Sequence, residues 1–226
     1  MQNSIQIGFL LFPRVTQLDL TGPAQILSRV PNAKIHLVWK ALEPVITDVG
    51  FSINPTTTFT DCPVLDVLCV PGGIGIGDQV GDTDTLEFLR QQAATAKYIT
   101  SVCNGSLVLG AAGLLNGYKS ACHWMWRKYL PLFGAIPISE RVVRDRNRIS
   151  GGGVTAGIDF AFTLVDELAG ADVAKILQLG FEYDPQPPFE CGSPESAGPD
   201  LVERVIALQA ERMKSIEPQI LHAALF

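Results

Sequence analysis

Three short apolar runs recur along this chain: IQIGFLLF at 5–12, LDVLCV at 65–70 and YITSVC at 98–103. Each is continuous rather than alternating and rich in strand-forming residues, the pattern of a strand buried on both faces. Such strands need helices over both faces of their sheet, and the segments between them supply candidates.

After the first run, PRVTQLDLTGP is expected as a loop, PAQILSRV from Pro23 as a helix with proline in its first turn, and KIHLVWK at 34–40 as the next strand. A right-handed crossover makes those two strands parallel. Residues 44–60 suggest short strands on a hairpin, and LDVLCV runs directly into the glycine-rich PGGIGIG. DTDTLEFLRQQAATA opens with capping residues and carries apolar residues at helical spacing, YITSVC is another buried strand, and NGSLVLGAAGLL the helix after it. KSACHW and RVVRDRNRISGGG add strand-like pieces. TAGIDFAFTLVDELAG and ADVAKILQLGFEY read as helices, 186–199 as an irregular connection, and a last helix starts near Asp200. This alternation predicts a doubly wound α/β sheet.

No internal repeat or change of composition divides the 226 residues, so 1–226 is expected to be one domain. The basic residues are dispersed apart from RVVRDRNR at 141–148, expected as a solvated hairpin, and the net charge is −6, which argues against a nucleic-acid partner. No apolar stretch is long enough to span a membrane, and no basic segment precedes IQIGFLLF, so neither membrane insertion nor export is expected. Five cysteines without CxxC pairs in a chain of this size fit a reducing cytoplasm. No histidine or carboxylate spacing supports a metal site.

In open α/β sheets ligands bind at the carboxyl ends of strands. Asp19, the Gly72–Gly73 pair and Cys103 all fall at such ends and are expected to converge. Cys103 stands where a strand turns into a helix, with Gly105 leaving room for backbone, as on the elbow that presents a hydrolase nucleophile. The helix amino terminus beyond it is expected to lower the thiol pKa. A carboxylate at Asp19, in an apolar loop, is expected to be desolvated, its pKa raised, and able to give and take a proton; a turn or capping role is the alternative. The Gly72 and Gly73 N–H groups are candidates for an oxyanion-type hole, whereas GGIGIG does not fit a dinucleotide loop. His123, beside two tryptophans, reads more readily as a hydrogen-bonded structural residue than as a base. Cys62, Cys69, Cys122 and Cys191 lack the elbow setting and read as structural.

QLDLTGP, SVCNGSLVLGAAGLL and GGGVTAGIDFA, with flanking segments over nearly the whole chain, resemble the ThiJ/PfpI superfamily. Its members share a flavodoxin-like, class I glutamine-amidotransferase-like three-layer domain, with a mostly parallel sheet, helices on both faces and a nucleophilic cysteine on an elbow. Within it the residues look most like the isocyanide-hydrating branch. The resemblance implies conversion of an isocyanide and water to an N-substituted formamide through a thioimidate, without metal or organic cofactor. It also implies a homodimer whose partner subunit borders the active site.

Cys103 would be the nucleophile and Asp19 the general acid and base. Gly152 and Val154 match a segment whose backbone shifts with the thiolate's state, and Tyr183 matches a residue of the family's tail. Asn104 departs from that branch's threonine. Peptidase-like relatives carry histidine there, and glyoxalase-like ones carry glutamate at the position of Asp19. The alternative function is a non-enzymatic thiol or redox sensor or a regulatory ligand-binding domain, since relatives of the fold precede DNA-binding modules in AraC-type regulators. Against that, the chain stops at Phe226 without room for a helix-turn-helix pair.

Overall fold

The computed structural model describes residues 4–225; the first three residues, on which the expectation about export partly rests, lie outside the described residues. Strand β1 (Ile5–Leu10) leads through Thr16, in extended conformation, into helix α1 (Gln17–Leu27), and β2 (Ala33–Trp39) follows. The expected loop over QLDLTGP is thus mostly helix. Pro23, expected in the first turn, stands inside α1, where it lacks the N–H that would bond the Asp19 carbonyl. Its ring packs closely on Gly157, where an added Cβ would stand 3.2 Å from Pro23 Cγ.

Strands β3 (Val45–Ile46) and β4 (Ser52–Ile53) form the expected hairpin, whereas β5 (Thr57–Thr58) leaves it to pair with β2 at the sheet edge. Strand β6 (Val67–Val70) is buried along its length. The glycine loop after it closes into the short helix α2 (Ile76–Gln79), which the sequence reading did not separate from the loop. Helix α3 (Thr83–Ala93) begins at Asp82, whose side chain accepts the Thr85 N–H. Strand β7 (Tyr98–Val102) is wholly buried and feeds helix α4 (Gly105–Ala111).

Strands β8 (Lys119–Ser120) and β9 (Ile136–Pro137) form a small parallel pair around a 3-10 turn, Arg127–Phe133. The basic patch is the hairpin of β10 (Val142–Asp145) and β11 (Arg148–Gly151), with Arg144 paired to Glu167 and Arg146 to Asp145. Helices α5 (Ala156–Ala169) and α6 (Ala171–Gly180) follow. The irregular connection contains one capped turn, α7 (Pro194–Ala197), before the long α8 (Pro199–Ala223).

The seven strands of the main sheet run β10-β11-β7-β6-β1-β2-β5, all parallel except the β10 edge. Helix α1 packs on α5, while α4 gathers α2 and α3, so the architecture is the expected α/β three-layer sandwich. The β1, β6 and β7 positions Phe9, Cys69 and Thr100 align across the centre of the sheet. Their carboxyl ends therefore open at one rim, where the sequence placed its candidate site.

Candidate active site

Cys103 follows β7 with φ +59, a left-handed conformation that costs a side chain with a Cβ about 1–2 kcal/mol. The surroundings hold it there. Its N–H donates to the Gly151 carbonyl at 3.1 Å, and the next turn presses so closely on β6 that a Cβ at Gly105 would collide with the Val70 and Pro71 carbonyl oxygens. The backbone thus turns from buried strand to helix through a left-handed cysteine held under strain.

Gly72 is where the site converges. A Cβ there would fall on Asn104 Oδ1, Asp19 Oδ2 and the Cys103 Cβ, so only glycine lets these groups meet. Asp19, in the first turn of α1, is fully buried, and its Oδ2 accepts the Gly72 N–H at 2.9 Å. The Gly73 N–H donates to Asn104 Oδ1 at 2.8 Å, and Asn104 Nδ2 donates back to the Gly73 carbonyl at 3.3 Å. Both glycine N–H groups are therefore engaged by side chains, which corrects their expected role as an oxyanion hole.

Burial pushes the Asp19 carboxyl up to about 7, more than the Gly72 N–H and the Cys103 thiol lower it, and Asp48 adds to the rise. The expected depression of the Cys103 thiol is not found: burial, then the negative charge of Asp19, hold it well above its ordinary value, although the Asn104 N–H acts in the other direction. Near neutral pH the thiol is protonated beside a carboxyl poised between its two forms. Asp19 Oδ1 is buried and has no hydrogen-bond partner.

Cys103 opens onto a cavity of about 290 Å³ bordered by Gly73, Asn104, His123 and Val154. Burial and Arg127 lower the His123 pKa, and its Nδ1 accepts the Met125 N–H at 3.3 Å, so the ring is neutral and structurally engaged. Val154 also borders a neighbouring cavity of about 390 Å³, and Gly152 lies on that side alone, its N–H donating to the Arg141 carbonyl. Tyr183 is not brought in: its hydroxyl donates to Asp159 at 3.1 Å, and its ring stacks on Phe162. Cys62, Cys69 and Cys122 are pushed up to about 11, 12 and 12 by burial, as befits inert thiols.

Sequence reasoning missed Thr16, Asp48, Trp124 and Trp126, and the face of α8 that carries Gln209, Arg212 and Met213 along the same cavity. Thr16 had a signal, since Thr-x-x-Asp is a helix-start pattern. Asp48 had none. Among the described residues, no three histidine, cysteine or carboxylate side chains are grouped to hold a metal ion. No helix among them is long and apolar enough to cross a membrane.

A left-handed cysteine between strand and helix, backed by a buried carboxyl at the rim of a parallel sheet, marks out the class, and the chain belongs to the DJ-1/PfpI family, whose model matches residues 5–167. It is 56% identical over 211 residues to the isonitrile hydratase of Pseudomonas putida, covering 93% of this chain and 92% of that one. A ThiJ/PfpI family protein from Pseudomonas syringae, known from its crystal structure, superposes with a TM-score of 0.93 at 47% identity, over 99% of this chain and 92% of the other. The HTH-type transcriptional regulator GbdR of Pseudomonas aeruginosa is 29% identical over 192 residues, 81% of this chain but 52% of the regulator.

Proposed function

We propose that this protein is an enzyme that hydrates isocyanides, also called isonitriles, to N-substituted formamides, with Cys103 as nucleophile and Asp19 as general acid and base. The observation that carries the reading is the meeting of the Cys103 elbow and the buried Asp19 carboxyl across Gly72. The similarity to a hydratase acting on isonitriles supplies the substrate class.

The chemistry starts from the protonated thiol. As Sγ bonds to the terminal isocyanide carbon, its proton passes to Asp19 and from there to that carbon, leaving the thioimidate R–N=CH–S–Cys103. Water then adds to the same carbon while Asp19 takes a proton from it and passes that proton to the nitrogen, giving the adduct R–NH–CH(OH)–S–Cys103. Collapse of the adduct forms the formamide R–NH–CHO as Asp19 takes the hydroxyl proton and hands it to the departing Sγ, which restores the thiol. A carboxyl with a pKa near 7 suits both directions of transfer. An isocyanide has no carbonyl oxygen, so the addition step develops no oxyanion, and engaged Gly72 and Gly73 N–H groups are no obstacle to it.

No metal or organic cofactor enters this scheme. The protein is proposed to work as a homodimer with the partner subunit bordering the cavity, and in the cytoplasm, in keeping with five free cysteines. The test is formamide formation from a simple alkyl isocyanide. Wild type should turn over, Cys103→Ala should not, and Asp19→Asn should lose about 100-fold or more. Turnover that survives in Cys103→Ala would overturn the reading.

A further inference from the structure

The cavity above Cys103 is bordered by a second carboxylate that the proposed chemistry does not use. Asp48 stands on the turn between β3 and β4, which is closed by the Thr47 N–H to the Phe51 carbonyl. Its own N–H donates to the Val15 carbonyl at 3.0 Å, and its Oδ2 accepts the Thr16 hydroxyl at 2.7 Å. The hairpin is thus pinned to the residue that heads α1, three positions before Asp19.

Two features separate this carboxylate from an ordinary surface one. Thr16 occupies the N-cap of α1, yet its side chain makes no capping bond. A hydroxyl in that place ordinarily caps its helix, and here it holds Asp48 instead. The other oxygen, Oδ1, is buried without a hydrogen-bond partner, and Asp48 forms no ion pair among the described residues. Buried acceptors are costly when unmatched, so such a group asks for a donor. Much of the remaining wall is apolar, with Ile74, Trp124, Met125 and Trp126 suited to a hydrocarbon body.

We propose that Asp48, held by Thr16, is a specificity-determining residue that accepts a hydrogen bond from a hydroxyl or ammonium group on the organic substituent of the substrate. The preferred substrates are then small isocyanides that carry such a donor rather than pure hydrocarbons. The proposal rests on the isocyanide-hydrating reading for the reacting end alone. Cys103 holds the isocyano carbon, Asp48 takes the donor, and the cavity of about 290 Å³ limits what lies between them. A carboxylate in the donor's place would meet like charge at Asp48 and would be drawn instead toward Arg212 on the α8 side of the cavity.

Isocyanides of matched length ending in methyl, hydroxyl, ammonium or carboxylate should be compared in wild type, Asp48→Ala, Asp48→Asn and Thr16→Val. The reported quantity is the ratio of each kcat/KM to that of the hydrocarbon. Wild type should favour the hydroxyl or the ammonium compound by about tenfold or more, as a hydrogen bond to a charged acceptor implies. The ratio should fall to near one in Asp48→Ala. Asp48→Asn should lose the ammonium preference first, and Thr16→Val should weaken both. Equal use of donor and hydrocarbon compounds by wild type, or a ratio unmoved in folded Asp48 variants, overturns the proposal.

If no isocyanide reacts at all, the functional reading fails separately, and the pocket is judged by binding. Short alkanols and alkylammonium ions should then quench the fluorescence of Trp124 and Trp126 in wild type and not in Asp48→Ala. Equal quenching in both refutes the assignment of Asp48.

Discussion

The side-chain amide of Asn104 pairs with the backbone of Gly73 at two points, accepting its N–H at 2.8 Å and donating to its carbonyl at 3.3 Å. Gly73 has φ +142 and bridges back to Val15, so this one amide ties the residue after Cys103 to the loop that leads into α1.

Substitution at Asn104 should therefore act on the loop before it acts on substrate. Threonine offers one hydroxyl where the amide offers a separate donor and acceptor, so Asn104→Thr should cost about 1 kcal/mol. Asn104→Asp should cost more, because a carboxylate oxygen would face the Gly73 carbonyl. Thermal melting orders the variants, and faster amide exchange at Gly73 in both would locate the effect. An Asn104→Asp protein as stable as Asn104→Thr would contradict the pairing.

Asp19 should make the protein's stability fall as pH rises. Its folded pKa, about 7, lies above the ordinary 3.8, so between those values the folded state binds more protons than the unfolded chain. The contribution is most favourable below 3.8 and is lost progressively until pH passes 7. Asp19→Asn removes the dependence, so its melting temperature relative to wild type should climb from pH 5 to pH 8. A constant difference across that range would show that the carboxyl is not desolvated.

Much of this arrangement was legible in the chain, and the exceptions have physical causes. The runs that became β1, β6 and β7 are apolar throughout because helices cover both faces, and Cys103 stood out because a buried strand meets a glycine-bearing helix start there. The start of α1 was displaced because Pro23 looks like a first-turn residue, although it is accommodated against Gly157. The roles expected of Gly72 and Gly73 were local guesses about N–H groups that side chains from residues 19 and 104 engage. Asp48 carries no periodicity or motif. Only the tertiary fold brings it to Thr16.

Labelling of the cysteines should read the protonated state of the Cys103 thiol. Cys191 is exposed, whereas Cys103 is buried and its thiol is held up by burial and by Asp19. Iodoacetamide at neutral pH should therefore modify Cys191 first in the ligand-free protein. In Asp19→Asn the negative neighbour is gone, and Cys103 should react faster than in wild type. Peptide mass mapping over a time course reads both. A Cys103 that outpaces Cys191 in wild type would show that burial and Asp19 do not hold its thiol in the protonated form.

Gly72→Ala tests the convergence itself. The added methyl would fall on Asn104 Oδ1, Asp19 Oδ2 and the Cys103 Cβ at once, and none of these can yield without losing its place. Asp19 is held by the Gly72 N–H, Asn104 by both polar groups of Gly73, and Cys103 by its bond to Gly151. The sheet beneath, with β6 and β7 paired along their length, should survive. Turnover should then fall about 100-fold or more, because a displacement of about 1 Å at reacting groups is enough for that. The circular dichroism spectrum should remain that of wild type. The separation of Asp19 from Cys103 should also show directly as a lower thiol pKa, measured from the 240 nm thiolate absorbance as a difference against Cys103→Ala controls. Folded Gly72→Ala protein with wild-type turnover would mean that the three groups do not meet at this glycine.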